Sequence, residues 1–175
     1  LLRMTNSVGA GTTVRITSLR HAITILGRRQ LQRWLQLLLF ASGTHSGTTS
    51  PLLHLAATRG RLMELLAGAQ KKGNVSYADA AFMVGIMSLM PALMGMPIEE
   101  IVAPLGITSE VRDALCQGSG ALGSLLRLIA ATESDAPEET ENALQECEGL
   151  DGETLNQCQA QALAWANSIN REAEH

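Results

Sequence analysis

The sequence predicts an all-α fold, and three observations predict it. No segment alternates apolar and polar residues convincingly with period two, the mark of a half-buried strand. Leu31, Leu35, Leu38 and Leu39 instead follow the i, i+4, i+7, i+8 spacing of a core-facing helix. Aromatic residues make up only 3% of a chain that is 46% hydrophobic, so the core falls to Leu, Ile, Val, Ala and seven Met. Strands draw on aromatic and β-branched residues, whereas that palette suits packed helices. The 175 residues suit one compact domain burying about 70% of its unfolded surface. The apolar fraction and a net charge of only −4 exclude a disordered chain.

The elements follow in order. Leu1–Asn6 reads as the end of a helix cut short, and Leu1 in place of Met leads us to expect a piece of something longer. Gly9 and Gly11 make Ser7–Val14 a loop. Thr17 or Ser18 caps a helix that runs to Leu26 and stops at Gly27, and a second runs from Arg28 to Ala41. Small polar residues make Ser42–Ser50 a loop, after which Ser50 as cap and Pro51 in the first turn open a helix to Gln70. Ser76-Tyr77-Ala78-Asp79 resembles a capping box and starts an uncharged helix that Pro91 interrupts. Pro97 begins a short helix ended by Pro104, and Thr108 caps another to Gln117. After a turn at Gly118–Gly120 comes a helix from Leu122 to Thr132. Composition then shifts to Glu, Ser, Asp and Pro over Glu133–Glu141, which reads as a linker, with helices over Pro137–Glu146 and Gly152–Glu172 closing the chain.

Charge is unevenly spread. Residues 1–72 hold ten Lys/Arg against one acid, Glu64, whereas residues 73–175 hold three Lys/Arg against 16 acids. Oppositely charged solvated faces explain this most simply, with nucleic acid or an acidic partner as the alternative. Cys116, Cys147 and Cys158 are few, odd in number and form no C-x-x-C pair. That fits a reduced cytoplasmic protein better than a disulfide framework or zinc site. No signal-peptide pattern opens the chain, because Arg15 and Arg20 stand where an apolar stretch belongs. Ala80–Ile98 is uncharged and about as long as a membrane span, but Pro91 favours a core helix followed by a turn.

Candidate sites are few. Gly118-Ser119-Gly120-Ala121-Leu122-Gly123 has the letters of G-x-G-x-x-G, yet a dinucleotide site needs a strand before it, and Ser109–Gln117 reads as helix. His21, His45, His54 and His175 are scattered and none is followed by Asp, so no ligand set with an open position for water is apparent. Ser88 lacks the G-x-S-x-G elbow and Cys116 lacks a base in sequence, so both read as structural. The most suggestive surface is Arg20, His21, Arg28, Arg29, Arg33 and Trp34. Arg29 and Arg33 project side by side on the predicted helix and suit a phosphate or a carboxylate-rich partner. A solvated face with Trp34 in the core fits equally well.

Several segments resemble one family. Leu1-Leu2-Arg3-x-x-Asn6-Ser7, Ile16-Thr17-Ser18-Leu19-Arg20-His21-Ala22 and Leu26-Gly27-x-x-x-Leu31 are similar to the HDOD (HD-related output) domain of bacterial signalling proteins. Arg33-Trp34-Leu35, Arg59-x-x-x-Met63-Glu64-Leu65-Leu66 and Phe82-Met83-Val84-Gly85-x-x-Ser88-Leu89 continue the likeness. So do Ala114-Leu115, Gly120-x-x-Gly123-x-Leu125-Leu126 and Ala162-Leu163-x-Trp165-Ala166, the last resembling the subgroup that follows a cyclic-di-GMP phosphodiesterase-like EAL domain.

The resemblance implies a compact multi-helix HD-like domain over residues 1–132, its first helices missing. Residues 133–175 would be an acidic linker and a C-terminal helical extension packing on it. In catalytic relatives of the fold, a first His is followed one helix later by Gly-x-x-His-Asp, which supplies metal ligands. Here His54 stands near the first position, but Gly85-Ile86-Met87-Ser88-Leu89 puts Ser and Leu in place of the dyad. The subgroup's usual Asp after Ser-Leu-Leu is Pro91. The expectation is therefore a non-catalytic output domain without cofactor, His54 being a remnant of a metal site. Its partners would be an upstream receiver, sensory or EAL domain of the same chain and a further signalling protein. A homodimer is compatible; a membrane or nucleic acid is not expected. The alternatives are a residual metal-dependent phosphohydrolase and nucleic-acid binding through the basic half.

Overall fold

The computed structural model describes residues 51–134 and 136–173, and every described element is helical, with no strand among the described residues. The order is α1 (Pro51–Gln70), α2 (Val75–Met87), α3 (Met90–Met94), α4 (Ile98–Val102), α5 (Ser109–Gln117), α6 (Gly120–Glu133), α7 (Pro137–Gln145) and α8 (Gly152–Ala173). The all-α fold class holds.

Local chemistry sets most of the boundaries. Pro51 occupies the first helical position of α1, where a missing N–H costs nothing. The cap of α2 differs from expectation. Asn74, not Ser76, takes that role, its Oδ1 accepting from the Tyr77 N–H at 3.0 Å. Gly73, at φ 82°, turns the chain early enough for the helix to start at Val75, which places Ser76 inside its first turn. The far end differs too: the break falls at Ser88–Leu89, before Pro91. Pro91 has no N–H to give the Met87 carbonyl, so it sits in the first turn of a new helix, α3. Thr108 does cap α5, its Oγ1 accepting from Val111 N–H at 3.4 Å. Asp151 caps α8, accepting from Thr154 N–H at 2.8 Å, and these bonds hold its carboxyl below the usual range.

The helix expected over Pro137–Glu146 forms as α7, over Pro137–Gln145, and takes up much of the stretch read as a linker. α6 runs through Glu133 and Pro137 already opens α7, which packs against α6. Ala143 and Leu144 supply its apolar contact, while Glu138, Glu139 and Glu141 face solvent. Acidic composition suggested a linker, yet two apolar side chains one position apart suffice to seat a two-turn helix.

One buried cluster joins these helices. Leu62, Met63, Leu66 and Ala67 of α1 meet Tyr77, Ala81 and Val84 of α2, Val111 and Ala114 of α5, and Leu122, Leu125, Leu128 and Ile129 of α6. Cys147, Leu155, Cys158 and Ala162 belong to the same cluster, so the C-terminal helices complete this core. Along α8 the buried residues Leu155, Cys158, Ala162 and Ala166 recur at helical spacing and form its inward stripe. α1 and α2 cross where glycine meets glycine: a Cβ on Gly85 would lie 2.7 Å from Gly60 Cα and 2.8 Å from the Arg59 carbonyl oxygen. Only two residues without side chains allow so close a crossing.

By length and composition alone, Val75–Ala92 and Ser109–Glu133 are apolar enough to cross a membrane. Each is interrupted by a turn, at Ser88–Leu89 and at Gly118–Ser119, and parts of both lie in this core.

Candidate functional site

The predicted surface of Arg20, His21, Arg28, Arg29, Arg33 and Trp34 lies outside the described residues. His54 stands in the first turn of α1, half-buried, and its carbonyl accepts from Thr58 Oγ1 at 2.9 Å. Ser88 and Leu89 lie at the broken end of α2. Among the described residues, no three His, Cys, Asp or Glu side chains gather as a metal-ligating group.

At Ser88 an arginine converges instead. Arg59 Nη1 donates to Ser88 Oγ at 2.8 Å, and Ser88 Oγ donates onward to the Gly85 carbonyl at 2.7 Å. The remaining edge of the same guanidinium forks onto Glu133, with Nε donating to Oε1 at 3.0 Å and Nη2 to Oε2. Three helices meet in this cluster: the middle of α1, the C-terminus of α2 and the C-terminus of α6. Both helix ends carry partial negative charge, which a guanidinium satisfies. The two-pronged geometry with a carboxylate is the strongest arrangement open to arginine. What this arrangement does chemically is join elements, since every donor named here already has an acceptor within the protein.

A second arginine secures α8. Arg61 Nη1 donates to Glu64 Oε2 at 2.8 Å, and its guanidinium lies 5.9 Å from the Trp165 ring centroid. Trp165 in turn meets Phe82 of α2 edge-on at 6.3 Å. Glu64 is buried, and a buried carboxylate requires such a cation beside it.

The glycine motif is a helix–helix corner. Gly118 ends α5 at φ 62°, and a Cβ on Gly123 would overlap the Gly118 carbonyl group. Arg127 donates to the Gly118 carbonyl oxygen, to Ser124 Oγ at 3.1 Å and to Glu146 at 2.7 Å. With a helix before the motif instead of a strand, the dinucleotide reading has no structural footing.

Cys147 and Cys158 are buried and Cys116 is half-buried. Burial pushes the thiols of Cys147 and Cys158 up, helped at Cys147 by the neighbouring Glu146. Desolvation also raises Cys116, with Glu99 adding and Arg112 opposing. A raised pKa keeps a thiol protonated, away from its nucleophilic form.

Arg59 and Glu133 were not singled out from sequence as site residues. The legible signal was Arg59 itself, placed with Met63 and Leu66 at i, i+4, i+7 on the buried stripe of α1. A charge on such a stripe announces a partner without naming it.

No family model matches the chain, and no solved structure does. It is 29% identical to "Uncharacterized protein YuxH" of Bacillus subtilis, over 97% of this chain and 40% of that protein. It is 30% identical to "Cyclic di-GMP phosphodiesterase CdgJ" of Vibrio cholerae, over 98% of this chain and 39% of that protein. Both are relatives of this chain. The chain spans about two fifths of the length of these curated relatives.

Proposed function

We propose that this chain is an HDOD-type output module of a cytoplasmic bacterial signalling protein, without catalytic activity of its own. It acts through protein–protein contact under the control of an upstream receiver, sensory or EAL domain. The observation that carries this reading is similarity along nearly the whole chain to a protein named as a cyclic-di-GMP phosphodiesterase, of which it spans only 39%. A module of that extent leaves most of the named protein's length for other parts.

The non-catalytic part of the reading draws on Ser88 and Leu89. Leu89 offers no ligating atom, and the Ser88 hydroxyl is engaged by Arg59 and the Gly85 carbonyl. The contact surface in this reading is Arg20, His21, Arg28, Arg29, Arg33 and Trp34, a basic and aromatic set of the kind enriched at interfaces.

The test is co-purification of the intact gene product with its cellular partners, before and after the double change Arg28→Glu/Arg33→Glu. Loss of at least one partner is expected, and unchanged recovery of all of them rejects the surface. Elemental analysis of the same metal-loaded protein addresses catalysis. The expected result is no stoichiometric divalent metal; one metal per chain, lost on His54→Ala, favours a phosphohydrolase instead.

A further inference from the structure

We propose that Arg59, Ser88 and Glu133 form a latch that sets the mobility of the segment from Leu89 to Pro104. This goes beyond the output-module reading and holds whichever partner the module has. The segment carries two short helices, α3 and α4, yet Val102 is its one buried residue among the described side chains. Met94 and Met96 are 54% and 39% exposed. A stretch with so few buried apolar contacts has low local stability and opens independently of the core. Its restraint therefore falls on its two ends.

At the far end, Val102 and Ile107 reach the core and Thr108 caps α5. At the near end stands Ser88, the C-cap of α2. Its hydroxyl accepts from Arg59 and donates to Gly85, which ties the exit from α2 to both α1 and its own last turn. Arg59 is itself oriented by the fork onto Glu133, at the end of α6. A planar guanidinium locked by two bonds along one edge has its third donor aimed. Neutralising Glu133, or drawing its carboxylate onto another cation, frees Arg59 to turn and lets the Ser88 hydroxyl go. The bistable element is thus the start of the methionine-bearing segment, and the input is the charge at the α6 terminus.

Hydrogen exchange read by mass spectrometry on the intact chain tests this, with Ser88→Ala and Glu133→Gln compared against the parent. Each variant is expected to speed exchange across Leu89–Met96 by about tenfold, equivalent to roughly 1.4 kcal/mol of opening free energy. Peptides over Leu62–Ala67 and Leu125–Ile129 are expected to keep the parental rate. Glu133→Gln is the decisive variant, because Glu133 stands on a different helix and its effect on the segment has to pass through Arg59. No rise in the segment, a rise with Ser88→Ala alone, or a rise shared equally by the core peptides overturns the latch. Neither change alters the size of a buried apolar side chain, so both variants retain the packing on which the core depends.

Discussion

Two junctions in this molecule are built from the same parts and differ in burial. At the crossing of α1 and α2, Gly85 presses on Gly60 while Arg59 forks onto Glu133 and reaches Ser88, the C-cap of α2. At the corner of α5 and α6, Gly123 presses on Gly118, the C-cap of α5, while Arg127 reaches that carbonyl and pairs with Glu146. Each combines a backbone contact that only glycine permits with an arginine on a helix end. The Arg59 and Glu133 side chains are 13% and 30% exposed, against 50% and 56% for Arg127 and Glu146. The first junction also joins residues 74 positions apart, the second only 19. Burial and reach, not the chemical identity of the pair, distinguish the two arginines.

The largest expected effects fall at the glycines. Gly123→Ala and Gly85→Ala each drive a Cβ into backbone that cannot yield as a flexible side chain would. Each is expected to destabilise the protein by about 3 kcal/mol, the upper part of the range for overpacking. Chemical denaturation checks this, with Gly68→Ala as the control. Gly68 lies inside α1 with nothing within 4 Å of its Cβ position, so alanine there should stabilise by about 1 kcal/mol through helix propensity alone. Equal effects at Gly68 and Gly85 would remove the argument for a close crossing.

Next in size is Arg59→Ala, which removes a half-buried charge-assisted fork and leaves Ser88 without its donor. The expected loss is about 2 kcal/mol, by the magnitude of hydrogen bonds to charged groups. Arg127→Ala deletes the equivalent group from an exposed pair, and its effect should stay under about 1 kcal/mol. Raising salt widens the contrast, because it screens the exposed pair more than the less exposed one. Equal losses for the two arginines would mean that burial does not separate the junctions.

Much of this was legible in the residues. Pro51, Thr108 and Gly118 marked helix ends correctly because capping chemistry acts within a few positions. Asn74 was missed in favour of Ser76, since both are good caps and only the turn at Gly73 decides between them. Pro137 marked the start of α7 in the same way, although the acidic composition around it also reads as a linker. Nothing local told that Cys147 and Cys158 would be core residues, because small apolar side chains look alike in loops and interiors.

The sequence by itself determined that this protein is helical and where most helices start and stop. These are properties of neighbours along the chain, readable from spacing and side-chain chemistry. Only the tertiary structure decided that Arg59 meets Ser88 and Glu133, that Gly60 meets Gly85, and that α8 closes the core through Trp165 and Ala162. Contacts between residues far apart follow from how apolar faces pack together, and one arginine on a stripe is compatible with many distant carboxylates until that packing is made.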